Sequence, residues 1–234
     1  MAFSAGHILQ KLFRQIIRWP LEALFGFGLF YFARLLPVRF ASAAMGGFLR
    51  IMAPLTPWHS RALRNLNHAM PDLDDAEKDQ ILRAMWHNLG RVVGEYPHIN
   101  SIVDKGWVEF VGLDHLKALD GGGFLIGAHI GNWEFGPFAA LSTGKKVAAI
   151  YRPLNNPLLS GLLHRRQETY GGDIYRKGRE AALGMVTALR KGQMMCLLVD
   201  QQLREGVSVP FFGHSARTSI SHIKIAVKKQ VPLF

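Results

Sequence analysis

The spacing of apolar positions changes along this chain. From residue 8 to residue 32 they are nearly continuous and rich in aromatics, broken by Lys11, Arg14, Arg18, Pro20 and Glu22. The longest uncharged stretch, 23–33, has 11 residues, short of the ~20 that cross a bilayer as a helix. The pattern predicts helices lying in a membrane interface, with Phe25, Phe27, Phe30 and Phe32 inserted and the cations at the headgroups. Snorkelling of Arg18 and Arg34 would stretch the run into a span, and a buried helix of a soluble domain is the third reading. There is no ordered sequence of polar n-region, apolar block and small-residue cleavage site to mark a secretory signal.

Prolines 37 and 57 bound a helix over 40–52, and a basic helix over 61–70 stops at Pro71. The acidic run 72–77 lacks the sixth-position Gly and twelfth-position Glu of a calcium loop. It starts a helix instead: Asp74 and Glu77 form a capping box, followed by Ile81, Leu82, Met85, Leu89, Val92 and Val93 on one face. After Gly106 short apolar runs alternate with helical ones. Strands are predicted over 108–111, 123–128, 146–151, near Ile174 and over 194–199, with helices over 133–141, 157–170, 179–190 and 220–229. This alternation predicts an α/β fold, a largely parallel sheet flanked by helices and preceded by the helical N-terminal region.

Composition narrows the partners. Among 234 residues, 49% are hydrophobic and 19% charged, which excludes disorder and supports one core. The formal net charge of +11 predicts an anionic partner. Arg14, Arg18, Arg34, Arg39 and Arg50 are interleaved with apolar stretches, which suits a membrane surface better than a nucleic-acid groove. The single cysteine, Cys196, rules out an intrachain disulfide and a cysteine zinc site, and its apolar neighbours predict a buried strand position. Nucleotide loops, Gly-x-Ser-x-Gly and His-x-x-x-His are all absent from the sequence.

The chemistry gathers at 121–136, GGGFLIGAHIGNWEFG. On one continuous helix His129 and Glu134 would point about 140° apart. A strand, a tight turn eased by Gly127 and Gly131, and a helix capped by Asn132 with Glu134 in its first turn bring both to the carboxyl end of a strand, where open α/β sheets hold their sites. A neutral imidazole is a competent base near pH 7, and a carboxylate on its other nitrogen fixes the tautomer and stabilises the imidazolium. The expected proton donor is a substrate hydroxyl. Arg152 follows a strand and so reaches the same edge, where a guanidinium holds phosphate or a developing oxyanion.

The flanking residues extend the pattern: His129-Ile-Gly-Asn-Trp-Glu134, Tyr151-Arg152-Pro153 with Asn156-Pro157, Asp200-Gln201, and Val209-Pro210-Phe211-Phe212-Gly213 with Ala216 and Thr218. In this order they resemble the bacterial lipid A biosynthesis (lauroyl/myristoyl) acyltransferase family, from about Arg64 onward. The His-x4-Glu form is characteristic of this branch, where the wider lysophospholipid acyltransferase superfamily usually has His-x4-Asp. The resemblance implies an O-acyltransferase of the cytoplasmic face of the bacterial inner membrane. It would move an acyl chain from acyl-acyl carrier protein or acyl-CoA to a hydroxyl of an anionic lipid A precursor, without metal, further cofactor or nucleic acid. It implies His129 and Glu134 as catalytic, with direct attack on the thioester, and Arg152, Asn132, Asp200, Gln201, Phe211 and Phe212 as substrate-binding. Apart from the resemblance, Arg165, Arg166, Lys177 and Arg179 read either as a steering patch for an acidic carrier protein or as solvated helix ends. Residues 1–57 read as the membrane-associated region and 58–234 as the acyltransferase domain. Members of the family this chain resembles continue through further strands and helices, so the chain is expected to be either incomplete at its C-terminal part or unusually short. Another glycolipid or lysophospholipid acceptor is the nearest rival; a non-catalytic basic membrane-surface or nucleic-acid-binding protein is the rival outside the class.

Overall fold

The computed structural model describes residue 10, residues 12–161 and residues 168–234, with Arg179 given by its backbone. A wide helical turn at Arg14–Arg18 runs straight into α1 (Trp19–Leu35), and the helix ends where Pro37 forces Leu36 into extended backbone, φ −86 and ψ 149. Arg14–Leu35 is long and apolar enough, at 22 residues, to cross a membrane. The domain nevertheless grips α1 near both ends. Asn156 Nδ2 donates to the Trp19 carbonyl (2.8 Å), Leu159 packs over Gly26, and the Tyr96 ring meets Phe30 edge-on. His98 Nε2 donates to the Ala33 carbonyl (2.9 Å). These anchors are about 21 Å apart along a helix rising ~1.5 Å per residue, so α1 lies along the domain. Leu21, Leu24, Phe25, Phe32 and Leu35 stay exposed on it.

Two further helices pack backbone to backbone. In α2 (Val38–Met52) and α4 (Asp75–Glu95), separated by α3 (Pro57–Ala69), the contact is made of small residues. A Cβ on Gly90 would stand 2.2 Å from the Met45 carbonyl oxygen, and one on Gly94 2.4 Å from that of Ala41. The expected capping box opens α4: Glu77 N–H donates to Asp74 Oδ1 (2.8 Å) and Asp74 N–H to Glu77 Oε2 (2.9 Å). Such a cap contributes about 1 kcal/mol.

The strand expected over 108–111 does not form. After α5 (Ile99–Asp104), Gly106 (φ 66) and Gly112 (φ 79) flank an irregular segment that leads into α6 (Leu113–Lys117). A short apolar run becomes a strand only where it pairs with an edge, and residues 232–234 take the edge at 123–127. Phe124 N–H donates to the Pro232 carbonyl (3.0 Å), Phe234 N–H to that of Phe124 (2.9 Å), and Ile126 N–H to that of Phe234 (3.0 Å).

The sheet is the predicted one. Strands β1 (Gly123–Gly127), β2 (Val147–Tyr151), β3 (Gly171–Arg176) and β4 (Met194–Leu198) are parallel in the order β1-β4-β2-β3. Phe124, Ala148 and Met195 face α8 (Arg179–Arg190) and α9 (Ser221–Lys229), while Val147 and Met194 pack with Leu116, Ala140 and Tyr170 on the other side. Cys196 lies in β4 as expected, and burial pushes its thiol up to about 12, leaving it protonated and unreactive at neutral pH. The helix expected over 157–170 begins with a tight turn at Pro157–Leu159, and 162–167, with Arg165 and Arg166, lie outside the described residues. The antiparallel hairpin of β5 (Gln202–Phe211) and β6 (His214–Thr218) was not anticipated. Its two turn residues, Phe212 (φ 49) and Gly213 (φ 74), both have left-handed backbone, the geometry that matches strand twist.

Candidate active site

β1 and β4 are adjacent and in register, Gly127 opposite Leu198. Val199 N–H donates to the Gly127 carbonyl (3.0 Å) and keeps the two chains together one residue further. His129 and Asp200, each two residues beyond a register partner, therefore leave the sheet side by side. Asp200 then grips the histidine twice: Oδ2 accepts the His129 backbone N–H (2.8 Å) and Oδ1 lies 2.8 Å from Nδ1. Burial raises the Asp200 pKa, but the bonds from the His129 backbone and ring outweigh it and hold the carboxyl below its ordinary value. An ionised Asp200 can only accept, so Nδ1 carries the proton and the Nε2 lone pair is left available. Gln201 Nε2 stands 3.5 Å from that atom, and the Trp133 ring meets the imidazole edge-on with centroids 5.0 Å apart. The histidine side chain retains 32% exposure, enough for a substrate to reach it.

The turn after β1 has the predicted strand–turn–helix form. Ile130 N–H donates to the Ala128 carbonyl (2.8 Å), and Gly131 takes φ 57, a conformation that costs a glycine little. Asn132 caps the next segment: its Oδ1 accepts the Glu134 N–H (3.2 Å). The first turn, Trp133–Phe135, is tighter than expected before α7 (Gly136–Leu141) takes over. The half-buried Glu134 therefore sits past the cap, and the contact on His129 Nδ1 expected of it is made by Asp200. Strand register decides this, since Asp200 emerges beside the histidine while Glu134 lies beyond the turn.

Arg152 is exposed directly after β2, so His129, Asp200 and Arg152 follow three neighbouring strands at one sheet edge. Lys177 joins them, its N–H donating to the Tyr151 carbonyl (2.8 Å).

A sequence model of the family described as bacterial lipid A biosynthesis acyltransferase matches residues 9–234. The chain belongs to that family. A lipid A biosynthesis acyltransferase of Haemophilus influenzae is 28% identical over 158 residues, 65% of this chain and 50% of that protein. The chain thus spans about half the length of this curated relative.

Within the family pattern other motif residues have structural work. Asn156 is buried; its Oδ1 caps Leu158 N–H (3.1 Å) and its Nδ2 reaches both the Trp19 carbonyl and Glu22 Oε2 (3.3 Å). Phe211 and Phe212 meet edge-on, centroids 4.8 Å apart, at the exposed tip of the hairpin. That tip is seated on α3 by His214 stacked 3.7 Å over His68, so the two phenylalanines border the helical layer. Sequence reasoning missed Asn88 and Glu95. Asn88 Nδ2 donates to the Gly131 carbonyl (3.1 Å), and Asn132 Nδ2 donates to Glu95 Oε2 (2.8 Å). Both lie some forty positions from the motif they touch, and no local signal marks them.

Proposed function

We propose that this chain is a membrane-associated O-acyltransferase acting on a hydroxyl of a lipid A precursor, with acyl-acyl carrier protein or acyl-CoA as donor. The observation that carries the reading is a histidine at the carboxyl end of the sheet whose Nδ1 is held by an ionised Asp200, while Nε2 meets the Gln201 amide only at 3.5 Å. Nε2 takes the proton of the acceptor hydroxyl as its oxygen attacks the thioester carbonyl. The tetrahedral oxyanion collapses, the carbon–sulfur bond breaks, and the imidazolium returns its proton to the departing thiolate. A positioned base contributes ~10²–10⁴-fold. In this mechanism the hydroxyl takes the position beside Nε2 that the Gln201 amide approaches at 3.5 Å. Arg152 serves the oxyanion or a phosphate of the acceptor, together with backbone N–H groups of the Asn132 turn. Orientation of the base, expected of Glu134, falls to Asp200 in this mechanism, and Glu134 is a second carboxylate whose share substitution can separate.

Membrane association rests on the outward faces. Leu24, Phe25 and Phe32 of α1 and Phe40, Phe48 and Ile51 of α2 are all exposed. Arg61 lies over Trp58 (4.8 Å), and Arg39 (6.0 Å) and Lys105 (5.2 Å) over Trp107, pairings suited to a headgroup layer. A helix held near both ends by its own domain fits an interfacial position on the cytoplasmic leaflet, where acyl thioesters are found, better than a span.

The test is acyl transfer in vitro from acyl-acyl carrier protein to a lipid A precursor, with product read by mass spectrometry. Product from the wild type and none from His129→Ala is the expected result; undiminished His129→Ala removes the mechanism. Transfer only to another glycolipid or a lysophospholipid would keep the mechanism and change the acceptor.

A further inference from the structure

We infer that Glu95 and Asn88 of α4 are positioning residues for the His129 base, fixing the turn that carries it at points Asp200 does not hold. The inference rests on the reading of His129 as base. Catalytic groups must be held to within about 0.5 Å of their working geometry. Asp200 fixes the imidazole and the His129 N–H, but the next residues pass through Gly131, whose left-handed backbone gives the turn little stiffness of its own. Its carbonyl is held by Asn88, and the Asn132 amide is held by Glu95.

Glu95 is itself fixed. Its Oε1 accepts from Ser42 Oγ of α2 (2.6 Å) and lies 3.8 Å from Arg91 Nε, which donates to the same serine oxygen (3.1 Å). The Glu95 side chain is only 14% exposed. Asn88, Arg91 and Glu95 recur at three and seven positions, one stripe of a helix. Ser42 reaches that stripe because Gly90 and Gly94 let the backbones of α2 and α4 touch. An asparagine needed only as a helix cap would use Oδ1 alone and leave Nδ2 to water. Here Nδ2 meets a largely buried carboxylate, whose desolvation carries a cost and whose partners Ser42, Arg91 and Asn132 come from separate segments. Asn132 thereby joins the cap of the Glu134 turn to the α2–α4 pair.

The test compares Glu95→Ala, Glu95→Gln, Asn132→Asp and the double variant Glu95→Gln/Asn132→Asp. Kinetics are measured with acyl-acyl carrier protein and a lipid A precursor, and hydrogen exchange is followed over 128–134. Asn132→Asp sets two carboxylates against each other, whereas the double variant restores the hydrogen bond with donor and acceptor exchanged and leaves Ser42 and the Glu134 cap their partners. Glu95→Ala and Asn132→Asp should lower kcat by up to ~10²-fold, the penalty of a misplaced catalytic group, with KM for the donor little changed and faster exchange in the turn. Both readouts should recover in the double variant. The acid limb of the Glu95→Ala pH profile should stay in place, because Asp200 remains on Nδ1. A double variant no better than the worse single one, or Glu95→Ala with wild-type kcat and exchange, overturns the inference. Exchange that follows this pattern in a protein without acyltransferase activity would overturn the reaction and leave the clamp on the turn.

Discussion

Phe124 and Phe25 are the same residue in two opposed layers. Phe124, at 0% exposure, is packed between β1 and the helices behind the sheet; Phe25, at 59%, is largely exposed. In the sheet, apolar residues hold the fold together and place His129, Asp200 and Arg152 at one edge. α1 and α2 bury Ala33, Ala41 and Met45 in a small core of their own but leave larger apolar side chains exposed, which the lipid surface proposed above would cover. Apolarity in a sequence therefore states a need for cover, and the fold decides whether the chain or its surroundings supply it.

The two layers differ most in what a single substitution removes. His129→Ala should cost ~10²–10⁴ in turnover, equivalent to about 3–5 kcal/mol of barrier, while folding and vesicle binding persist. Asp200→Asn should be strongly impaired too, and a His129→Ala/Asp200→Asn double variant scarcely worse than His129→Ala alone, since residues acting as a unit do not add. Multiplying defects would mean that the two act separately.

A second pair tests the layers directly. Phe124→Ala should lose ~3–5 kcal/mol of stability in denaturant titration, a fully buried aromatic replaced by a cavity. Phe25→Ser should change stability by no more than ~0.5 kcal/mol, as surface substitutions do, yet weaken binding to anionic vesicles in a form that persists at high salt. Equal stability losses at both sites would make α1 an ordinary core helix.

Arg152→Lys should lower kcat/KM by about tenfold, near the lower end of the ~1.5–3 kcal/mol of a charged hydrogen bond, because a point charge cannot form a bidentate fork. Near-normal turnover would reduce Arg152 to a solvated surface charge.

The smallest effect separates the two carboxylates. Asp200 is the carboxylate on Nδ1, so Asp200→Asn should move the acid limb of the pH–rate profile down. Glu134→Gln should leave the limb in place, and a downward shift there would restore Glu134 as the partner of the ring. The Asp200 carboxyl has its own pH signature. Its folded pKa is depressed, so it stabilises the fold above its ordinary value of about 4, and that contribution is lost as pH falls through the folded value. Thermal melts of wild type and Asp200→Asn should converge in acid.

The features legible in the sequence are local ones. The Asp74–Glu77 box, the parallel strands and the turn from His129 to Asn132 each depend on neighbours within a few residues, and all are present. The illegible ones depend on adjacency between distant segments. That β4 lies beside β1 makes Asp200 the histidine's partner; that residues 232–234 pair with β1 closes that edge to 108–111. The hairpin was hidden because 209–213 has the look of a motif rather than of a turn between two strands. Family resemblance supplied the candidate site residues, and strand register supplied the contact between His129 and Asp200.

One amide has a consequence for dimensions. Asn156 pins the loop that carries Arg152 to the first turn of α1, through the Trp19 carbonyl and Glu22. The cation of the site and the helix with the apolar outer face thus share one frame, and their separation cannot be adjusted by loop motion without breaking those bonds. If α1 lies at a lipid surface, as proposed above, the loop keeps a constant stand-off from that surface. A hydroxyl would be acylated only if its headgroup lifts it to that height, so acceptors with longer or shorter headgroups would be rejected by altitude before any pocket reads their shape.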